Sequence, residues 1–297
     1  MDGLPRCCQS LRIALMSVRS GLKFSMRFPL HALCMLSAFA PMSFGAPAAV
    51  DPSVFGSTKA EGAALIGILY DLKQDQYRQK TKMGPPFYDS FVNEFLSSNW
   101  DEAVLNKYFR VTRPLYTTQV FIPQISASSA PVAFGVADVV HPSFWIVHYK
   151  GQVSPPSSGS WRFWGFGSEV CSVAVNGKTV LASNWIESGR PIPTPNLGWQ
   201  TTELPGQRVR QSHLVAGDWM NLKAGEIIDL DVLIGERAGG NFCAVLLIEK
   251  KGDKYEMKDG HPILPVFQLA PFKTPNPASF QRGPQISQDG PIWKAIQ

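Results

Sequence analysis

The stretch that most constrains this chain is short. Val170-Cys-Ser-Val-Ala-Val175 and Thr179-Val-Leu-Ala182 are rich in β-branched residues, and Asn176-Gly177-Lys178 stands between them. An Asn-Gly pair accepts the positive φ of a tight turn, so the two runs are expected to pair as an antiparallel hairpin. A lone hairpin is barely stable in water and needs further strands to cover its apolar face. Phe144–Tyr149, Ser160–Phe166 and Ile227–Ile234 supply them, and so does Phe242–Ile248, which is apolar on both faces and is expected to be a central strand. Along Ile227–Ile234 the residues Ile228, Leu230, Val232 and Ile234 share one face, leaving Asp229 and Asp231 on a face expected to be wet.

The flanks complete the reading. Ala64–Tyr70 reads as an opening strand and residues 71–82 as a loop, and Leu115–Ile122 reads as a strand that Pro123 stops. Phe87, Phe91 and Phe95 stand four apart, and Val104, Leu105 and Tyr108 share a helical face, so a small helical insertion is expected near residues 87–109. Residues 183–221 carry Pro191, Pro193, Pro195 and Pro205 without strong periodicity, and a loop of that length in a compact domain is usually functional or mobile. With Gly 25 and Pro 24, an all-helical bundle is disfavoured. The expected fold class is all-β, mainly an antiparallel β-sandwich, over residues 60–264, with residues 265–297 a Pro-rich extended tail.

The formal charge of +5 is concentrated at the start, where Arg6, Arg12, Arg19, Lys23 and Arg27 face only Asp2. The remainder is near neutral, which does not suit a nucleic-acid binder that must neutralise many phosphates. After Arg27 an apolar run leads to Ser43-Phe-Gly-Ala-Pro-Ala-Ala49, so residues 1–48 read as a signal peptide, with Met26 the expected true start. The expected location is secreted or exported: periplasmic, cell surface or extracellular. Pro41 breaks the apolar run, and no transmembrane span is expected after leader removal. Cys171 and Cys243 then remain, each inside a strand pattern. Two buried small hydrophobes is the favoured reading, and one inter-strand disulfide stays open.

From Trp145 the motifs resemble a known family. Gly151-Gln-Val-Ser-Pro-Pro-Ser-Ser-Gly-Ser-Trp-Arg-Phe163, Val173-Ala-Val-Asn-Gly-Lys-Thr-Val-Leu181, Leu222-Lys-Ala-Gly-Glu-Ile-Ile-Asp-Leu230 and Gly239-Gly-Asn-Phe-Cys-Ala-Val-Leu-Leu247 occur in order. Together they resemble the anthrax protective-antigen N-terminal module, the PA-fourteen family, over about residues 141–250. The resemblance implies a secreted binding module. Several family members, notably fungal adhesins, bind sugars through calcium held by two adjacent aspartates and a nearby asparagine. Here the acid pair reads Ser168-Glu169, so Glu169 and Asn176 are the metal candidates that the resemblance implies. On the residues alone, Glu169 is a solvated loop-end acid and Asn176 a turn residue.

Sugars stack on flat aromatic faces, and six of the tryptophans fall between residues 145 and 219. Trp161 and Trp164 point to opposite strand faces, so both can be buried only if something covers the second face. Trp199, Trp219 and Trp185 in the long loop are the candidate glycan contacts, with Ser168, Glu169, Asn176 and Asn184. The histidines lack paired ligand spacing, and G-x-S-x-G and P-loop motifs are absent from the sequence, so no catalytic residues are assigned. The expected function is non-catalytic binding of a carbohydrate or surface glycan. The alternative is docking to an envelope or matrix protein without sugar specificity.

Overall fold

The computed structural model describes residues 53–60, 62–183, 206–209, 212–271 and 283–296. The expected leader lies outside the described residues. Among those described, no helix is long and apolar enough to cross a membrane.

Two antiparallel sheets face each other. The larger runs β2 (Phe109–Arg110), β1 (Leu65–Asp71), β5 (Trp145–Ser154), β13 (Ile228–Glu236), β7 (Val170–Val175) and β8 (Lys178–Ala182), with β3 (Leu115–Thr117) added to β1 and β19 (Lys294–Ile296) to β5. The smaller runs β11 (Val215–Ala216), β6 (Gly159–Gly167), β14 (Asn241–Lys250) and β4 (Phe121–Ser126), with β12 (Met220–Leu222) on β6. Short pairs join β9 (Arg208–Val209) to β10 (Ser212–His213), β15 (Met257–Lys258) to β16 (His261–Pro262), and β17 (Leu264–Pro265) to β18 (Ile286–Ser287). Three helices interrupt the strands: α1 (Pro85–Ser97), α2 (Glu102–Leu105) and α3 (Ser129–Ala133).

Alternation along each strand sorts side chains into layers. Leu69, Val147, Val173, Val232, Phe163 and Leu246 meet between the sheets in the main core. On the far side of the larger sheet, Ile68, Tyr70, Ile146 and Leu233 take the apolar stripe of α1, namely Tyr88, Phe91, Val92 and Phe95. The helix lies close because position 235 is glycine: a Cβ there would sit 2.3 Å from the Tyr88 hydroxyl. On the far side of the smaller sheet, Trp164, Phe166, Val245 and Leu247 are covered by Val209, Leu214, Leu264 and Val266. Trp161 and Trp164 are therefore both buried, on opposite faces of one strand. Each sheet has both faces covered, which explains the near-continuous apolar runs.

Three expectations need correction. Pro123 does not end a strand: the 115–122 run divides between β3 in one sheet and β4 in the other, and Pro123 lies inside β4. It is tolerated because β4 is an edge strand and its register with β14 shifts between Phe242 and Ala244. The face bearing Asp229 and Asp231 is not simply wet. Helix α1 brings Phe95 over His148, whose Nε2 lies 2.8 Å from Asp231 Oδ1, while Asp229 stays exposed. The described part of the C-terminal segment is not an extended tail either. Trp293 is fully buried against Trp161, Phe163 and Phe267, and β19 pairs with β5, so the sandwich continues well past residue 264. Cys171 in β7 and Cys243 in β14 are both buried thiols.

Candidate binding face and the inter-sheet corner

Ser168 and Glu169 form the corner where the chain leaves β6 in the smaller sheet and enters β7 in the larger. Ser168 extends the β6–β14 ladder by one residue: its N–H donates to the Cys243 carbonyl (2.9 Å), and its hydroxyl accepts the Cys243 N–H (2.8 Å). Glu169 is not a solvated acid. It is buried beneath α1, and its Oε2 lies 3.0 Å from Arg237 Nη2. Arg237 also grips Asp89 of α1, donating from Nη1 to Oδ1 (2.9 Å) and Oδ2 (3.1 Å). Next in line, Glu236 accepts the N–H groups of Gly239 (2.7 Å) and Ala238 (3.1 Å) on Oε1. Its Oε2 is buried with no hydrogen-bond partner among the described residues.

The electrostatics follow from this burial. Desolvation pushes the Glu236 carboxyl up to about 7 and the neighbouring Glu169 charge adds to the rise, against the backbone N–H groups of Gly239, Ala238 and Gly240. Glu169 is likewise raised by burial, with the Arg237 charge opposing. Tyr88, buried alongside, is held well above the usual phenol range for the same reason, with Glu236 and Glu169 contributing.

Asn176 is the turn residue that the hairpin requires, with φ 52° followed by Gly177 at φ 75°. Its Oδ1 accepts the Asp229 N–H at 2.9 Å. Glu169 and Asn176 bracket β7 from opposite ends. Six strand residues between them hold the two side chains roughly 20 Å apart. One ion cannot touch both, and the Ser168 hydroxyl and Asn176 carbonyl oxygen each accept a backbone N–H at opposite ends of β7. This donor set does not fit a calcium ion, which needs six to eight oxygens on one centre. Among the described residues no group of three or more His, Cys, Asp or Glu side chains is arranged to hold a metal.

Trp219 stands elsewhere, at the end of the smaller sheet's outer face. Asn184, Trp185 and Trp199 lie outside the described residues. The half-buried Trp219 ring has the Arg162 guanidinium 4.2 Å from its centroid, and the same guanidinium lies 4.8 Å from the Trp164 centroid. Glu249, opposite Arg162 across the β6–β14 ladder, sets this stack: its Oε2 accepts from Arg162 Nε (2.7 Å) and Trp164 Nε1 (2.6 Å). Lys251 Nζ lies 5.7 Å from the Trp219 centroid. One residue earlier, the Lys250 N–H donates to the Tyr255 hydroxyl at 2.8 Å. Tyr255 lines a cleft of about 1130 Å³ with Ile263, Pro265, Ile286, Ser287 and Asp289. The end of β14 thus joins an indole stack to a polar cleft. The sequence pointed to Trp219 but not to Arg162, Glu249 or the cleft. Only the two-residue spacing of Arg162 and Trp164 hinted at a shared face.

No protein-family model and no curated sequence matches this chain. Among solved structures it is similar to a PA14 sugar-binding domain from an RTX adhesin (13% identity, 65% of this chain and 93% of that chain covered, TM-score 0.40). It is also similar to the PA14 domain of the antifreeze protein MpAFP (10% identity, 69% and 87% covered, TM-score 0.40). A third is the epithelial adhesin 6 A domain from Candida glabrata, solved in complex with Galβ1-3GlcNAc (10% identity, 65% and 81% covered, TM-score 0.39). The first two are domains of the family that the motifs resemble.

Proposed function

We propose that this chain is an exported, non-catalytic binding module that recognises carbohydrate through the end of the smaller sheet's outer face. The observation that carries the reading is the half-buried Trp219 indole, stacked on Arg162 and set by Glu249. A flat aromatic surface held in one orientation loses little entropy when a pyranose stacks on it. Charged and polar groups at its edge supply the directional hydrogen bonds that sugar hydroxyls need. The motif resemblance supports the same class of ligand. The non-catalytic part of the reading rests on the motif resemblance, which implies a binding module.

A glycan array probed with the full chain, wild type and Trp219→Ala, tests this. Binding to a subset of glycans that falls at least tenfold in the variant is expected, with thermal stability little changed. Silence on every glycan, or equal binding by the variant, refutes the reading. Capture of an envelope or matrix protein by both forms would then favour the docking alternative.

A further inference from the structure

The corner cluster has a role that does not depend on what the Trp219 face binds. Asp89 from α1, Glu169 from the inter-sheet crossing and Arg237 from the end of β13 come from three separate elements. All three are largely out of water, with side-chain exposures of 22%, 8% and 8%. We propose that the Arg237 guanidinium is the resident cation of this corner: it ties helix to sheet and sheet to sheet, as a bound divalent ion would, and makes the corner independent of calcium.

The geometry suits a guanidinium and not an ion. One nitrogen of the planar guanidinium donates to both oxygens of Asp89 while another lies 3.0 Å from Glu169 Oε2, so one delocalised cation serves two carboxylates from different elements. Glu236, the remaining carboxyl, has one oxygen committed to backbone N–H groups. The Asn176 oxygen is at the far end of β7, and the Ser168 hydroxyl is engaged with Cys243. A divalent ion brought to Glu169 would face the guanidinium at close range and would have to displace a buried charge from its partners.

Two measurements on the full chain test the proposal. Thermal melts of the wild type in millimolar calcium chloride and in chelator should coincide, and calorimetric titration with calcium should give no saturable heat. A calcium-dependent rise in Tm, or a binding isotherm of unit stoichiometry, overturns it. In the second, Arg237→Gln is expected to lower Tm by roughly 10 °C, because it leaves buried carboxylates unpaired. Asp89→Asn added to that variant should lower Tm by much less than Asp89→Asn does alone. An Arg237→Gln protein that melts like the wild type, or additive effects of the two changes, refutes the role given to Arg237. If Arg237→Gln does not fold, Arg237→Lys replaces it and should melt between wild type and unfolded. The wild-type calcium comparison decides ion independence in either case. Failure of glycan binding would leave these outcomes untouched.

Discussion

Glu236 makes a quantitative demand on how stability varies with pH. The folded carboxyl is raised from its ordinary 4.5 to about 7, chiefly by burial. Such a group holds its proton in the folded chain at pH values where the unfolded chain has released it. Between about pH 4.5 and 7 the folded state therefore binds more protons, and stability falls as pH rises. Below that window both states are protonated, and above it both are ionised, so the curve is flat on either side. At about 1.36 kcal/mol for each tenfold change in proton affinity, the total loss is roughly 3 kcal/mol. Glu169, also raised, adds a loss of the same sign. Glu236→Gln removes the ionisation while leaving a side-chain oxygen to accept the Ala238 and Gly239 N–H groups. Urea unfolding of both proteins from pH 4.5 to 8 is the assay, and the difference between them reports Glu236 together with its coupling to Glu169. The wild type should lose about 3 kcal/mol relative to Glu236→Gln across the window. Parallel curves for the two proteins would mean that Glu236 titrates like an exposed carboxyl, and the desolvation argument would fail.

Three further outcomes follow from packing and burial. Gly235→Ala pushes a methyl into the Tyr88 hydroxyl and should cost about 1–3 kcal/mol in chemical denaturation, whereas an unstrained site would gain from the change. Trp293→Ala empties an aromatic nest between the sheets and should cost about 3–5 kcal/mol; a neutral result in thermal melts would return residues 283–296 to the role of a loose tail. Cys171, buried and pushed up to about 12, should resist a thiol reagent at pH 8 until the protein is unfolded, and rapid native labelling would contradict its burial.

How far the residues speak for themselves depends on the range of the interaction. The Asn176-Gly177 turn was legible because φ preference is a property of two adjacent residues, β13 because alternation is local, and β14 because an unbroken apolar run is local too. The helical stripe of Phe91 and Phe95 was legible for the same reason. Burial of Glu169 was not, since its partner Arg237 and the Asp89 that Arg237 also holds lie 68 and 80 positions away in sequence and only the fold brings them together. Pro123 misled because proline reads as a stop unless the strand is known to be at an edge. Trp293 misled because the prolines around it mask one large apolar side chain that the core can use. At the Trp219 face the indole was visible in sequence, but Arg162 and Glu249 become a pair only through the β6–β14 register.

The place of β19 bears on how the fold is reached. Lys294–Ile296 zip onto Gln152–Ser154, about 140 residues earlier, and seat Trp293 beside them. Closing so long a loop is slow to achieve, yet it adds little entropy cost per extra residue once made. Release of β19 from β5 is therefore tied to withdrawal of the Trp293 indole from the interior.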